Sequence, residues 1–266
     1  RNTQVLQRAL AYAASFNLPV WLRAHDSYLS GGFAASGAYA SRLGLSGVPV
    51  AAETIGLFTL FELLRGLGEQ APKAHICRIS SARSVALIRA AKAEGLNITC
   101  DVNMHHLHWL DTDMGYFNTQ MLFDPPLRTA SDRDALRAGV LDGTIDVIVS
   151  DHTAVDVDAK NIPLGQAQAG AVGTQWLLNN VLHFAQNAQA DIAQTLASCV
   201  AKPYAILGLE QPQWTVGTDA NFVIFDETHH QKISPEYIVG EHLNTPWLGY
   251  ELCGTISQVV HRGCVL

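Results

Sequence analysis

Four apolar segments of the chain each end in residues that can carry charge or a proton: RAHD (Arg23 to Asp26), CRIS (Cys77 to Ser80), DVNMHHLH (Asp101 to His108) and SDHT (Ser150 to Thr153). Where parallel strands alternate with helices, chemistry collects at the carboxyl ends of the strands, so four consecutive ends of this kind outweigh any one alone. Arg23 and Arg78 are the misfits. Each closes an apolar run, and a guanidinium stays charged at any reachable pH, so burial demands a carboxylate or several carbonyls. Asp26, Asp101 and Asp151 are the nearest candidate counter-ions, unless both arginines only snorkel to a solvated rim. Strand parity puts Arg23 and His25 on one face, a candidate interior face. It puts His75, three residues from Arg78, on the opposite face toward the helices, in a structural role. Asp151 and His152 could simply cap the next segment, although their place after the apolar run VIVS favours a strand-end role. His105, His106 and His108 could be a metal cluster. Their spacing matches neither a helical HExxH nor a strand-borne HxH, and ordinary wall histidines are the simpler expectation.

The elements that must position these residues follow from periodicity. LPVWLRA (18–24), 74–79, LNITCDV (96–102) and IDVIVSD (145–151) read as buried strands, and 50–69, 82–94 and 131–141 as helices closed by glycines. A helix capped near Asn2 or Thr3 opens the chain and ends by Asn17 and Pro19. A Gly/Ser-rich loop, SYLSGGFAASG, follows the first strand, and a long irregular loop containing DPPLR follows the third. Helical stretches at 174–187 and 191–199 come next. Strand and helix in alternation mean a parallel sheet with crossover helices. Near residue 212 the texture changes to short alternating strands with Gly turns, TVGTDANFVIFD and CGTISQVVHRGCVL, the pattern of an antiparallel segment. The expected division is 1–211 and 212–266.

Composition narrows the classes. The 266 residues are 48% hydrophobic and 15% charged, with a net charge of -7 and no Lys/Arg cluster, which argues against nucleic acid or an anionic membrane as partner. No apolar run reaches the roughly 18 residues of a membrane span. Five scattered cysteines without a CxxC pair suggest neither a disulfide framework nor a zinc ribbon, and a reduced cytoplasmic compartment is the simplest expectation. No phosphate-binding glycine loop is present.

In order, SRLGLSGVP, HICRISSARSVALIRAAKAEGL, CDVNMHHL, DPPLR, DGTIDVIVSDHT, KPYAILGL and NTPWLGYELCGTISQVVHRGCV resemble the dihydroorotase family of metal-dependent amidohydrolases, from about Leu18 to the last residue. The resemblance implies an α/β fold, a (β/α)8 TIM barrel of amidohydrolase type of which this chain carries roughly the second half, with a small β domain formed with the chain ends. It implies a two-zinc site that interconverts carbamoyl aspartate and dihydroorotate in pyrimidine biosynthesis. The N-terminal half of the barrel, with the family's first-strand HxH, is expected to be a missing segment, since four strands cannot close an eight-stranded barrel.

The catalytic pattern carries over badly. Where the family has a metal-binding His at the fifth strand, in a pattern like HAED, this chain has Arg23. Where the sixth strand supplies the second His of HICHxS, it has Arg78. A guanidinium has no lone pair to donate to zinc. The family's substrate-binding Asn before PPLR is Asp124, whose charge would repel a carboxylate substrate. The last His of DHAPH is Val155, the FG backbone contact is only half kept in Ala169 and Gly170, and the following acidic residue is Gln175. Only the aspartate that is metal ligand and general base in the family survives, as Asp151. The expectation is an Arg–Asp151 ion pair in place of the metal centre, since stripping cations from a carboxylate pocket leaves unpaired buried charge. The resemblance then implies a metal-free, catalytically inactive dihydroorotase-like chain without cofactor, assembled in an oligomer with the catalytic chain of aspartate carbamoyltransferase. Two rivals remain. One is an active cyclic amidohydrolase with an altered zinc site, using first-strand histidines with His25 or His152 recruited. The other is a protein that binds a pyrimidine intermediate without turnover.

Overall fold

The computed structural model describes residues 2–266. Helix α1 (Thr3–Ser15) starts where the Asn2 side chain accepts the Gln4 and Val5 amides. It stops at Phe16, just before Asn17 turns left-handed (φ 52°). Then follow β1 (Val20–Leu22), β2 (Ala34–Ala35), α2 (Ala38–Leu43), β3 (Gly47–Val48), α3 (Val50–Leu67), β4 (Ala74–Ile76), α4 (Ala82–Ala93) and β5 (Ile98–Asn103). After a long loop come α5 (Ala130–Leu141), β6 (Val147–Val149), α6 (Leu177–Asn187), α7 (Ile192–Ala197) and α8 (Ala201–Leu207). The chain closes with β7 (Phe222–Lys232), β8 (Glu251–His261) and β9 (Cys264–Val265).

Strands β1, β4, β5 and β6 lie side by side in that order, all parallel, with helices crossing between them. Alternation decides which side chains meet the helices. Ala74 and Ile76 of β4 and Ile98, Cys100 and Val102 of β5 pack with Leu57, Leu60, Phe61 and Leu64 of α3, Val85 and Ile88 of α4, and Val140 of α5. Each fully buried Leu, Ile or Phe of this layer contributes about 1.5–3 kcal/mol. Strands β7, β8 and β9 form the antiparallel sheet expected from the C-terminal texture. Among the described residues no helix is long and apolar enough to cross a membrane.

Two expectations need correction. The Gly/Ser-rich stretch after β1 is not wholly irregular: β2 and β3 pair in parallel around α2. His75 does not face the helices. It alternates with the helix-facing Ala74 and Ile76, so its ring lies on the other face, 4.3 Å from the Trp21 ring. Counting parity from His75 to Arg78 fails because β4 ends at Ile76 and Arg78 takes φ 57°, outside any strand.

Candidate active site

The strand ends converge through their backbone first. The Asp101 carboxylate, on β5, accepts the Arg78 amide at 2.7 Å through Oδ1 and faces His75 Nε2 at 2.9 Å through Oδ2. This fixes the turn that carries Arg78. The guanidinium then reaches Asp151: Nη1 donates to Asp151 Oδ1 at 3.2 Å and to the Asp124 carbonyl at 3.3 Å. Asp151 Oδ2 accepts Asn103 Nδ2 at 2.9 Å, so both carboxylate oxygens are engaged. Arg78 and Asp151 both have positive φ, 57° and 45°. Left-handed backbone at a non-glycine residue costs roughly 1 kcal/mol or more and persists only where surroundings impose it. Here the ion pair and the Asp101 anchor supply that constraint.

Arg23 makes a second pair. Its Nη1 and Nη2 form a bidentate ion pair with the Asp124 carboxylate, which sits in the loop between β5 and α5. Asp124 was not among the three anticipated counter-ions, which are engaged elsewhere: Asp26 accepts the amides of Tyr28 and Leu29, Asp101 holds Arg78 and His75, and Asp151 takes Arg78. The two carboxyls titrate in opposite directions. Burial raises the pKa of Asp151, and Arg78 and the Asn103 hydrogen bond only partly oppose it. Burial also pushes Asp124 upward, but the hydrogen bonds and charge of Arg23 outweigh it and hold Asp124 below the ordinary carboxylate value.

The remaining sequence candidates are spread around this centre. Arg23, His25, Arg78 and Arg128 border one small cavity with Glu53. His152 lies behind Asp151, where Nδ1 accepts the Gly173 and Thr174 amides at 3.2 and 3.3 Å, so the ring proton of the neutral form sits on Nε2. Val155 is buried, and its amide donates to Asn244 Oδ1. Gly170 (φ 130°) donates to the Leu122 carbonyl and accepts from Asn244 Nδ2. Ala169 packs on a second apolar cluster. Gln175 binds the Tyr237 carbonyl and the Val239 amide. The loop histidines are wall residues: His105 accepts Trp247 Nε1, His106 meets the Pro125 carbonyl, and His108 meets the Asn180 carbonyl. Burial lowers all three pKa values, to about 4 for His106 and about 3 for His108.

Two supports escaped sequence reading. The buried Glu53 carboxylate accepts the amides and hydroxyls of Ser80 and Ser81, and Arg128 Nε caps the Ser80 hydroxyl at 2.8 Å. The serine pair after Arg78 was the only local signal for it. Asn244, from the C-terminal segment, clamps the loop after Asp151, and nothing in its neighbourhood announces that task.

No family model matches the chain. It is 35% identical, over its whole length, to a dihydroorotase of Latilactobacillus sakei, covering 62% of that protein. It is 35% identical over 98% of its length to a dihydroorotase-like protein of Pseudomonas aeruginosa, covering 61% of it. The similarity is to the dihydroorotase-like family. A dihydroorotase-like protein of Pseudomonas putida is 36% identical over 99% of the chain. The chain spans about three fifths of the length of these curated relatives. Among solved structures it resembles an L-hydantoinase (dihydropyrimidinase) from Arthrobacter aurescens, with a TM-score of 0.87 at 21% identity over 100% of this chain and 60% of that one. A D-hydantoinase from a Bacillus species gives 0.84 at 19% identity, over 100% and 61%. At such identities the likeness is one of fold alone, the TIM barrel, and the β1-β4-β5-β6 sheet with its helices is the corresponding α/β portion.

The zinc that this family implies does not fit Arg23, Arg78 and Asp151, the residues at its ligand positions. Arg23 and Arg78 offer only N–H groups, and both oxygens of the one remaining carboxylate, Asp151, are already hydrogen-bonded.

Proposed function

We propose that this protein is a catalytically inactive dihydroorotase-like chain of pyrimidine biosynthesis, acting as a structural partner of the aspartate carbamoyltransferase catalytic chain within an oligomer. In this reading residues 1–211 form the barrel portion and 212–266 the small β portion. The observation that carries it is the Arg78–Asp151 ion pair, which binds the one carboxylate kept from the family's metal site. Arg23 supports it by neutralising Asp124. A pocket whose carboxylates are matched by guanidiniums needs no divalent cation to balance them.

The test is an assay of the full-length protein with dihydroorotate and carbamoyl aspartate, alongside metal analysis. The expected result is no turnover in either direction and co-purification with the transcarbamoylase chain. Zinc content that rises and falls with activity would overturn the reading. It would favour instead an active cyclic amidohydrolase with an altered zinc site, a reading that draws on Asp151, kept with a raised pKa suited to a general base, and on relatives named dihydroorotase. Calorimetric binding of either compound without turnover would point to a pyrimidine-intermediate binding protein.

A further inference from the structure

The residue before Arg78 belongs to a different cluster. A ring nitrogen of His75, Sγ of Cys77 and a carboxylate oxygen of Asp101 all lie within 4.8 Å of one another. We propose that these three residues bind a borderline-soft divalent cation, of which zinc is the type, with a fourth position open to water. Imidazole, thiolate and carboxylate are the three donors zinc takes in proteins, at about 2.0–2.3 Å, which sets ligand atoms roughly 3.3–3.8 Å apart in a tetrahedron. His75 Nε2 and Asp101 Oδ2, now hydrogen-bonded at 2.9 Å, need to separate by less than about 1 Å to admit the ion.

What marks the cluster as more than a hydrogen bond with a bystander thiol is that both of its polar ligands are held from behind. Thr99 Oγ1 lies 2.7 Å from His75 Nδ1. A hydroxyl donates or accepts, so Thr99 can give its proton to Nδ1 while Nε2–H faces Asp101, then accept from Nδ1–H once Nε2 turns its lone pair to a metal. The ring changes tautomer without losing its partner. Asp101 is held in the same way: Oδ1 accepts the Arg78 amide, leaving Oδ2 as the donor. The Cys77 amide is tied to the Leu22 carbonyl, so the thiol is placed by the β1–β4 ladder. His75 and Asp101 are buried while Cys77 is only partly so, which leaves the approach on the thiol side. The Arg78 guanidinium leaves the same turn for Asp151 and Asp124. A cation on these three residues would grip the carboxylate that anchors the Arg78 backbone and would confer no dihydroorotase activity.

Cobalt(II) is the probe. Chelator-stripped full-length protein titrated with cobalt is expected to develop a near-ultraviolet thiolate-to-cobalt charge-transfer band that saturates at one ion per chain. Cys77→Ser is expected to abolish the band, and Thr99→Val, which touches no ligand atom, to weaken binding about tenfold or more. Alkylation of Cys77 in the unmodified protein, followed by peptide mapping, should slow at least tenfold at cobalt saturation. Absence of the band, its survival in folded Cys77→Ser, or an alkylation rate unchanged by cobalt would overturn the proposal. The alkylation measurement decides the matter even if the variants fail to fold.

Discussion

Two arginine–carboxylate pairs sit a few ångströms apart, yet their carboxyls are displaced in opposite directions because the balance of burial and partner differs. Asp151 is the more enclosed, with 18% of its side chain exposed against 55% for Asp124, and burial wins there. At Asp124 the bidentate grip of Arg23 wins. Replacing Arg78 by Met should therefore drive the Asp151 pKa still higher, and Arg23→Met should raise that of Asp124, both read from carboxyl carbon NMR titrations. An Asp151 titration that stays put would refute the ion pair. Stability follows the same signs. Asp124 has a folded pKa below its unfolded one, so its contribution is present above about pH 4 and lost as pH falls through the folded value. Asp151 has a raised folded pKa, so its contribution is present below about pH 4 and lost as pH rises through the folded value. The stability gap between the parent and Arg23→Met should thus open as pH rises through the acid range. It should amount to no more than about 1 kcal/mol, because Asp124 is half exposed. At this scale the sequence pointed to Asp151 as the partner of an arginine, as Arg78 takes it, but not to the partner of Arg23: Asp124 lies 101 residues from Arg23, and no spacing rule links a loop aspartate to a distant strand end.

Helix α3 is where an element positions the site most directly. A Cβ at Gly56 would lie 2.4 Å from the His25 amide nitrogen and 2.5 Å from the Ala24 carbonyl carbon, so the helix packs bare backbone against the segment that carries Arg23. Gly66, on the same helix, would place a Cβ in open space. Helix propensity favours alanine at both by about 1 kcal/mol. Gly66→Ala should therefore raise the melting temperature slightly. Gly56→Ala should lower stability by about 2 kcal/mol or more, because backbone atoms cannot yield as a side chain would. Thermal unfolding of the two variants checks the contrast, and equal melting temperatures would show that α3 does not bear on the Arg23 segment. The helices and parallel strands were legible because apolar period and glycine stops agree within each. β2 and β3 were not: two residues each, they carry no period, and their pairing depends on α2 between them. Three of the strands were also read too far: the last residues of 18–24, 74–79 and 145–151 leave the ladder to turn toward the site, while β5 runs to Asn103, and hydropathy does not register a change of φ.

Across the molecule, the C-terminal segment is bound to the loop behind Asp151 mainly through one side chain. Asn244 Oδ1 accepts the Val155 amide, and Nδ2 donates to the Thr153 and Gly170 carbonyls, while the Asn244 carbonyl accepts from Val172. Only 3% of Asn244 is exposed, so water cannot readily replace these bonds. Each backbone group left buried without a partner costs about 1–3 kcal/mol, and Asn244→Leu strands three. That sum rivals the stability of the segment but not of the parallel sheet, whose apolar layer between strands and helices is untouched. The outcome should be local: hydrogen exchange at Val155 and Gly170 accelerates by at least a hundredfold while Cys100 and Ile148, in β5 and β6, keep their protection. Uniform acceleration at all four amides would mean that Asn244 supports the whole fold at once, and that the loop behind Asp151 has no independent hold on the C-terminal segment. Arg78, on the turn after β4, and Asn103, on β5, approach Asp151 from outside that loop, so their hydrogen bonds to it should survive the local release.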